Sequence, residues 1–113
     1  MKVLVCGSRH FNDYERLRET LAGLSISELI HGGARGADTM AETFARNNNI
    51  PYRRFDALWE LHGKSAGPIR NRQMLREGCP DLVVAFLAPN SRGTKDMIDA
   101  STKAGVEVKV ISI

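Results

Sequence analysis

Five short apolar runs alternate along the chain with four stretches whose apolar residues recur at every third or fourth position. No other feature of the sequence constrains the fold as much. Lys2 to Cys6, "KVLVC", is a β-branched and leucine run stopped by Gly7-Ser8, the pattern of a buried strand. Asp13 to Leu24 carries Tyr14, Leu17, Leu21 and Leu24 at helical spacing, with Asn12 or Asp13 as N-cap and Gly23 near its end. Glu28 to His31 is a second strand. Ala37 to Asn47 is a second helix, with Met40, Ala41, Phe44 and Ala45 turned inward, ended by "NNNI" and Pro51. Tyr52 to Phe55 is a weaker third strand. After a long connection, Pro68 stands as the first residue of a helix running to about Glu77. Asp81 to Ala88, "DLVVAFLA", is the most apolar run and is expected to be the central strand, buried on both faces. Gly93 to Ala104, closed by Gly105, is the last helix, and Val106 to Ile113 the last strand.

Strands separated by helices of about 10 to 15 residues imply right-handed crossovers and a sheet covered on both faces. The expected fold is α/β, a single Rossmann-like three-layer sandwich of about five mostly parallel strands over residues 1–113. A length of 113 residues suits one domain with a real core. No internal repeat, low-complexity segment or linker interrupts it.

Composition narrows the function. Charged residues are 26% and hydrophobic residues 42%, which is ordinary for a soluble globular chain. No apolar run approaches the roughly 18 to 20 residues of a membrane span, and the apolar start is too short for a signal peptide, so no membrane partner is expected and the chain is placed in the cytoplasm. Cys6 and Cys79 lie far apart, without CxxC spacing or a histidine at a ligand interval; neither disulfide, metal nor cofactor is called for. The net charge of +3 is modest, so the placement of the cations matters more than their sum.

In open parallel sheets, ligands bind beyond the carboxyl ends of the strands. That rule selects "GSRHF", "GGARGAD", "DALWELHGKSAGPIRNR" and "PNSRGTKD", which hold Arg9, Arg35, Lys64, Arg70, Arg72, Arg92 and Lys95. Glycines in a strand-to-helix turn let backbone amides approach an anion, and a helix N-terminus adds roughly half a positive charge. Gly32, Gly33 and Gly36 fit that task, with Arg35 able to grip a phosphate bidentately. The turn is neither G-x-G-x-x-G nor G-x-x-x-x-G-K-[ST], which excludes the conventional dinucleotide and P-loop readings. A second turn, Arg92-Gly93-Thr94, opens the last helix. Asp38 is either a cap or the acceptor of a ribose hydroxyl. Trp59 either stacks on a base or anchors its loop to the core, and Asp56 to Pro68 is long enough for a lid. Imidazole as a group changes charge near neutral pH, so His10 and His62 are candidates for acid-base roles, whereas His31 reads as structural. In "GPIRNR", Arg70, Asn71 and Arg72 at a helix start either form a solvated basic face or address one anionic ligand; arginine there opposes the helix dipole, so an anion is expected beside them.

"GSRHF", "HGGARGADTMAETFA", "W…GKSAGPIRNRQM" and "GTKDMIDASTKAG" together resemble the YspA/cpYpsA-related branch of the SLOG superfamily, a Rossmann-like group related to the LOG phosphoribohydrolases and to DprA. The resemblance implies a nucleotide or nucleotide-derived ligand. It assigns Gly7, Ser8 and Arg9 to a first ligand loop, Gly32, Gly33, Ala34, Arg35, Gly36 and Asp38 to a phosphate loop, and Gly93 and Thr94 to a second glycine turn. LOG enzymes carry G-G-x-G-T-x-x-E; here "NSRGTKDM" puts Met97 in the place of the glutamate, and neither Asp96 nor Asp99 falls on that position. The function expected first is therefore a binding module that senses or sequesters such a ligand. A nucleotide hydrolase using Asp38, Asp96 or His10 stands second, and a DprA-like single-stranded nucleic-acid binder third. Association into a homo-oligomer through a sheet edge is left open.

Overall fold

Alternate residues of an extended chain point to opposite faces, and the two most apolar runs use this to fill two separate cores. The structure, a computed structural model, describes all residues from Met1 to Ile113. Its elements are β1 (Lys2–Gly7), α1 (Tyr14–Ala22), β2 (Glu28–His31), α2 (Ala37–Asn47), β3 (Tyr52–Arg54), α3 (Trp59–His62), a 3-10 turn (Gly63–Ser65), α4 (Ala66–Gly78), β4 (Leu82–Leu87), α5 (Arg92–Lys103) and β5 (Glu107–Ser112). Val3 and Val5 of β1, with Leu82, Val84 and Phe86 of β4, pack under Leu17 and Leu21 of α1 and Phe44 of α2. Leu4, Cys6, Val83 and Ala85 face the other way, onto Met74 of α4 and Met97 of α5. Helices therefore cover both faces of one sheet, a Rossmann-like α/β architecture.

The sheet runs β3-β2-β1-β4-β5, and every pairing is parallel. The central strand is β1, not the more apolar β4. Apolarity reports burial on two faces, which every interior strand shares, whereas order is set by the crossovers. The chain steps outward from β1 to β3 on one side, and α4 then carries it back to β4 on the other. Consecutive loops thus diverge after β1 and β4, the switch point at which such sheets leave a crevice.

Helix ends follow local chemistry. Asp13 caps α1, its Oδ1 accepting from the Arg16 amide at 3.1 Å. Pro68 is the third residue of α4 rather than the first, because the preceding 3-10 turn feeds the helix two residues earlier; its missing N–H still falls in the first turn, where none is needed. The expected loop from Asp56 to Pro68 is partly helical, and neither α3 nor the turn after it contributes a buried residue. No helix is long and apolar enough to cross a membrane.

Candidate functional site

A cleft of about 920 Å³ opens at the carboxyl end of the sheet, between the loops after β1 and β4. Cys6, Met74 and Asp38 lie at its inner end, and Pro89 to Thr94 form one side. Trp59, Lys64, Gly67 and Pro68 form the other. Trp59 is 59% exposed and borders the cleft, so it does not anchor its loop to the core. Arg9, His10, Lys64 and Arg92 stand around the cleft, and the three cations among them form no ion pair.

The glycine turn after β2 has a different task from the one its composition suggests. The Gly32 amide donates to Asp38 Oδ2 at 2.9 Å and the Ala34 amide to the same oxygen at 3.3 Å. Between them, the Gly33 amide donates to His31 Nδ1 at 3.0 Å. Because Nδ1 accepts, the ring proton is on Nε2, which donates to Glu42 Oε1 at 3.0 Å. Three successive amides expected to face a phosphate are thus held internally. Gly33 and Gly36 have φ of +71° and +77°, and a side chain on Gly36 would run into the Ser8 carbonyl. Gly36 is glycine so that the first loop can lie across the start of α2, where the Ala37 amide donates to Ser8 O. Of residues 32 to 36 only Ala34 lines the cleft, and Arg35 is exposed outside it.

"GPIRNR" is likewise corrected. Arg70 is partly buried and donates through Nη1 to the carbonyls of Gly32 and Phe55. Arg72 forks onto Asp96, at 3.0 and 3.2 Å, and does not line the cleft. Asn71, 4% exposed, donates to Asp96 Oδ2 at 3.0 Å and to Gly93 O at 3.3 Å. The anion that offsets Arg72 is the protein's own carboxylate, while Arg70 is met by backbone carbonyls. Burial alone would raise the Asp96 carboxyl, but the Arg72 and Asn71 hydrogen bonds and the Arg72 charge outweigh it and hold it below the usual carboxylate range.

Two open features remain. The amides of Gly93 and Thr94 find no acceptor in the protein, Ser91 gives α5 no side-chain cap, and its first turn has no acidic residue. Gly93 has ordinary φ, and a Cβ built on it meets nothing within 4 Å, so no contact within the protein demands glycine there. At the inner end, Asp38 is 4% exposed and lines the cleft, and its hydrogen bonds all fall on Oδ2. Burial pushes this carboxyl up to about 6, against the lowering pull of the two amides and of Arg70 and Arg54. Gly7, Ser8, Arg9, Ala34, Asp38, Trp59, Arg70, Asn71, Arg92, Gly93, Thr94, His10 and Asp96 are all brought to one cleft, whereas Gly32, Gly33, Arg35, Gly36 and Arg72 stand behind or beside it. Cys6 and Met74 were missed because their pattern signals only core. Lys64 sits where the sheet-edge rule points and was legible only as one basic residue among several.

The sequence pattern of the YspA, cpYpsA-related SLOG family matches residues 1–62, more than half of the chain. The chain belongs to this family. The matched part of this SLOG chain includes the first loop, the β2 turn and Asp38, and ends at the last residue of α3. It is also 37% identical over 120 residues to the Gene 61 protein of Mycobacterium phage D29, covering 95% of this chain and 93% of that one. Among solved structures, a Thermotoga maritima protein named as a candidate oxidoreductase aligns with a TM-score of 0.43 at 16% identity. That alignment covers all of this chain but 38% of the other, a likeness too slight to carry an argument.

Between pH 3.8 and about 6 the native state keeps a proton on Asp38 that the unfolded chain has lost. Stability therefore falls as pH rises through that window, and the loss, on the order of 3 kcal/mol, is complete above it. Asp38→Asn keeps an acceptor for both amides and removes the titration. Urea melts of variant and wild type from about pH 4 to 7 should show their difference moving in the variant's favour by that amount; a flat difference contradicts the assignment.

Proposed function

We propose that the cleft holds a phosphorylated, ribose-containing small molecule, and that the protein senses or sequesters it. Membership of the SLOG family points to nucleotide-related ligand binding or processing. The observation that carries the reading is the start of α5: uncapped amides of Gly93 and Thr94, with the unpaired Arg9, Lys64 and Arg92 around the same cleft. Helix-end amides and arginines are what a phosphate takes as partners. Trp59 offers a flat apolar face for a base, and Asp38 Oδ1 an acceptor for a ribose hydroxyl. A volume of about 920 Å³ is within the range of small-molecule sites.

Calorimetry against AMP, ADP, cyclic AMP and ADP-ribose should find binding by at least one. Arg92→Ala should then weaken it about tenfold or more, the usual value of a charge-assisted hydrogen bond. Arg35→Ala should leave it unchanged. No binding at millimolar concentration, or a loss with Arg35→Ala and none with Arg92→Ala, overturns the reading.

One observation favours hydrolysis of the ligand as a second reading: a cleft-facing carboxyl with its pKa moved to about 6, where a general acid works near neutrality. Chromatography of the same nucleotides after incubation should then show products lost with Asp38→Asn. Asp96 is already engaged by Arg72 and Asn71, which leaves Asp38 the better candidate. Products that survive Asp38→Asn remove this reading.

A further inference from the structure

Arg72 does not line the cleft, yet an unbroken line of hydrogen bonds runs from it to the start of α5 on one side of the cleft and, through Arg70, to the β2 turn behind it. Its guanidinium holds Asp96, and Asp96 Oδ2 also accepts from Asn71 Nδ2. The same Nδ2 donates to the Gly93 carbonyl, one residue into α5. On its other side, Asn71 Oδ1 accepts from Arg70 Nε at 3.1 Å, and Arg70 Nη1 reaches the Gly32 carbonyl. Consecutive residues of a helix point about 100° apart. That geometry lets Arg70 reach the β2 turn and Asn71 enter the α4–α5 seam, while Arg72 grips Asp96 from outside. Asn71 is the hub, buried with both ends of its amide engaged.

We propose that Asn71 and Arg72 are positioning residues for the cleft. They hold the N-terminus of α5 at a fixed place relative to Asp38 and the β2 turn, and so set the affinity for a ligand that touches both. The proposal rests on the ligand-binding reading above, but part of its consequence needs no ligand. Without Asn71, the Gly93 carbonyl and Asp96 lose their shared donor, and α5 is no longer tied to the Gly32 turn through Arg70.

The test compares Arg72→Met, Asn71→Leu and, as control, Arg76→Met, on the same helix with only a 3.7 Å contact to Glu77. Arg72 is about half exposed at its side chain, and such pairs add little to stability, so Arg72→Met should fold with a nearly unchanged Tm. In ligand-free protein, amide NMR resonances of Gly93 and Thr94 should shift in both test variants, and those of Gly32 to Ala34 in Asn71→Leu. Affinity for AMP or ADP-ribose should fall at least about fivefold in both, the size of a typical coupling between sites. Arg76→Met should change neither. A merely structural role would lower Tm and leave affinity alone. Unmoved Gly93, Thr94 and Gly32 to Ala34 resonances overturn the proposal even if affinity changes. If the wild type binds none of AMP, ADP, cyclic AMP and ADP-ribose, the ligand reading fails while the resonances still decide the tie between the turns.

Discussion

A single carboxylate oxygen, Asp38 Oδ2, receives two backbone amides of the turn after β2, and the rest of the site is arranged around that fact. An ionised carboxyl buried to this degree is costly unless donors face it. Gly32 and Ala34 supply the donors, and the His31 ring takes the amide between them. The turn is consequently a rigid, internally satisfied support. It sets the edge of the cleft and leaves no free amide among Gly32, Gly33 and Ala34.

The division of the cations follows from the same economy of partners. Arg70 and Arg72 sit near a helix start, where positive charge is disfavoured, and each is offset by acceptors within the protein. Arg9, Lys64 and Arg92 have no such offset and stand around one cleft. Arg70 and Arg72 are committed to partners within the protein, whereas the unpaired cations and the α5 amides are left without partners around the cleft. Trp59, on a segment with no buried residue of its own, supplies the apolar side.

Much of this was legible in the residue pattern. Glu28 to His31 and Ala37 to Asn47 coincide with their elements to the residue, because β-run and helical periodicity are both bounded by glycine or asparagine. The sheet edge chosen by the α/β rule is where the cleft lies. Strand order was not legible, since apolarity reports only the two-faced burial that β1 and β4 share, and the crossover direction decides which is central. Nor was the fate of the glycine turn. Two glycines announce freedom of φ, but not whether the amides point at a ligand or at a carboxylate six residues on. The partner of Arg72 lies 24 residues away, beyond any local pattern. Asp38 was readable as a cap, although it caps the turn before the helix and not the helix itself.

In the proposed reading, anion binding belongs to α5 while the β2 turn is a support, and a crystal structure after soaking with ADP-ribose or AMP decides between the two. A phosphate against the Gly93 and Thr94 amides, with Gly32, Gly33 and Ala34 still bonded to Asp38 and His31, is the predicted result. A phosphate seated on the amides of Gly32 to Ala34, with Asp38 displaced, would contradict it.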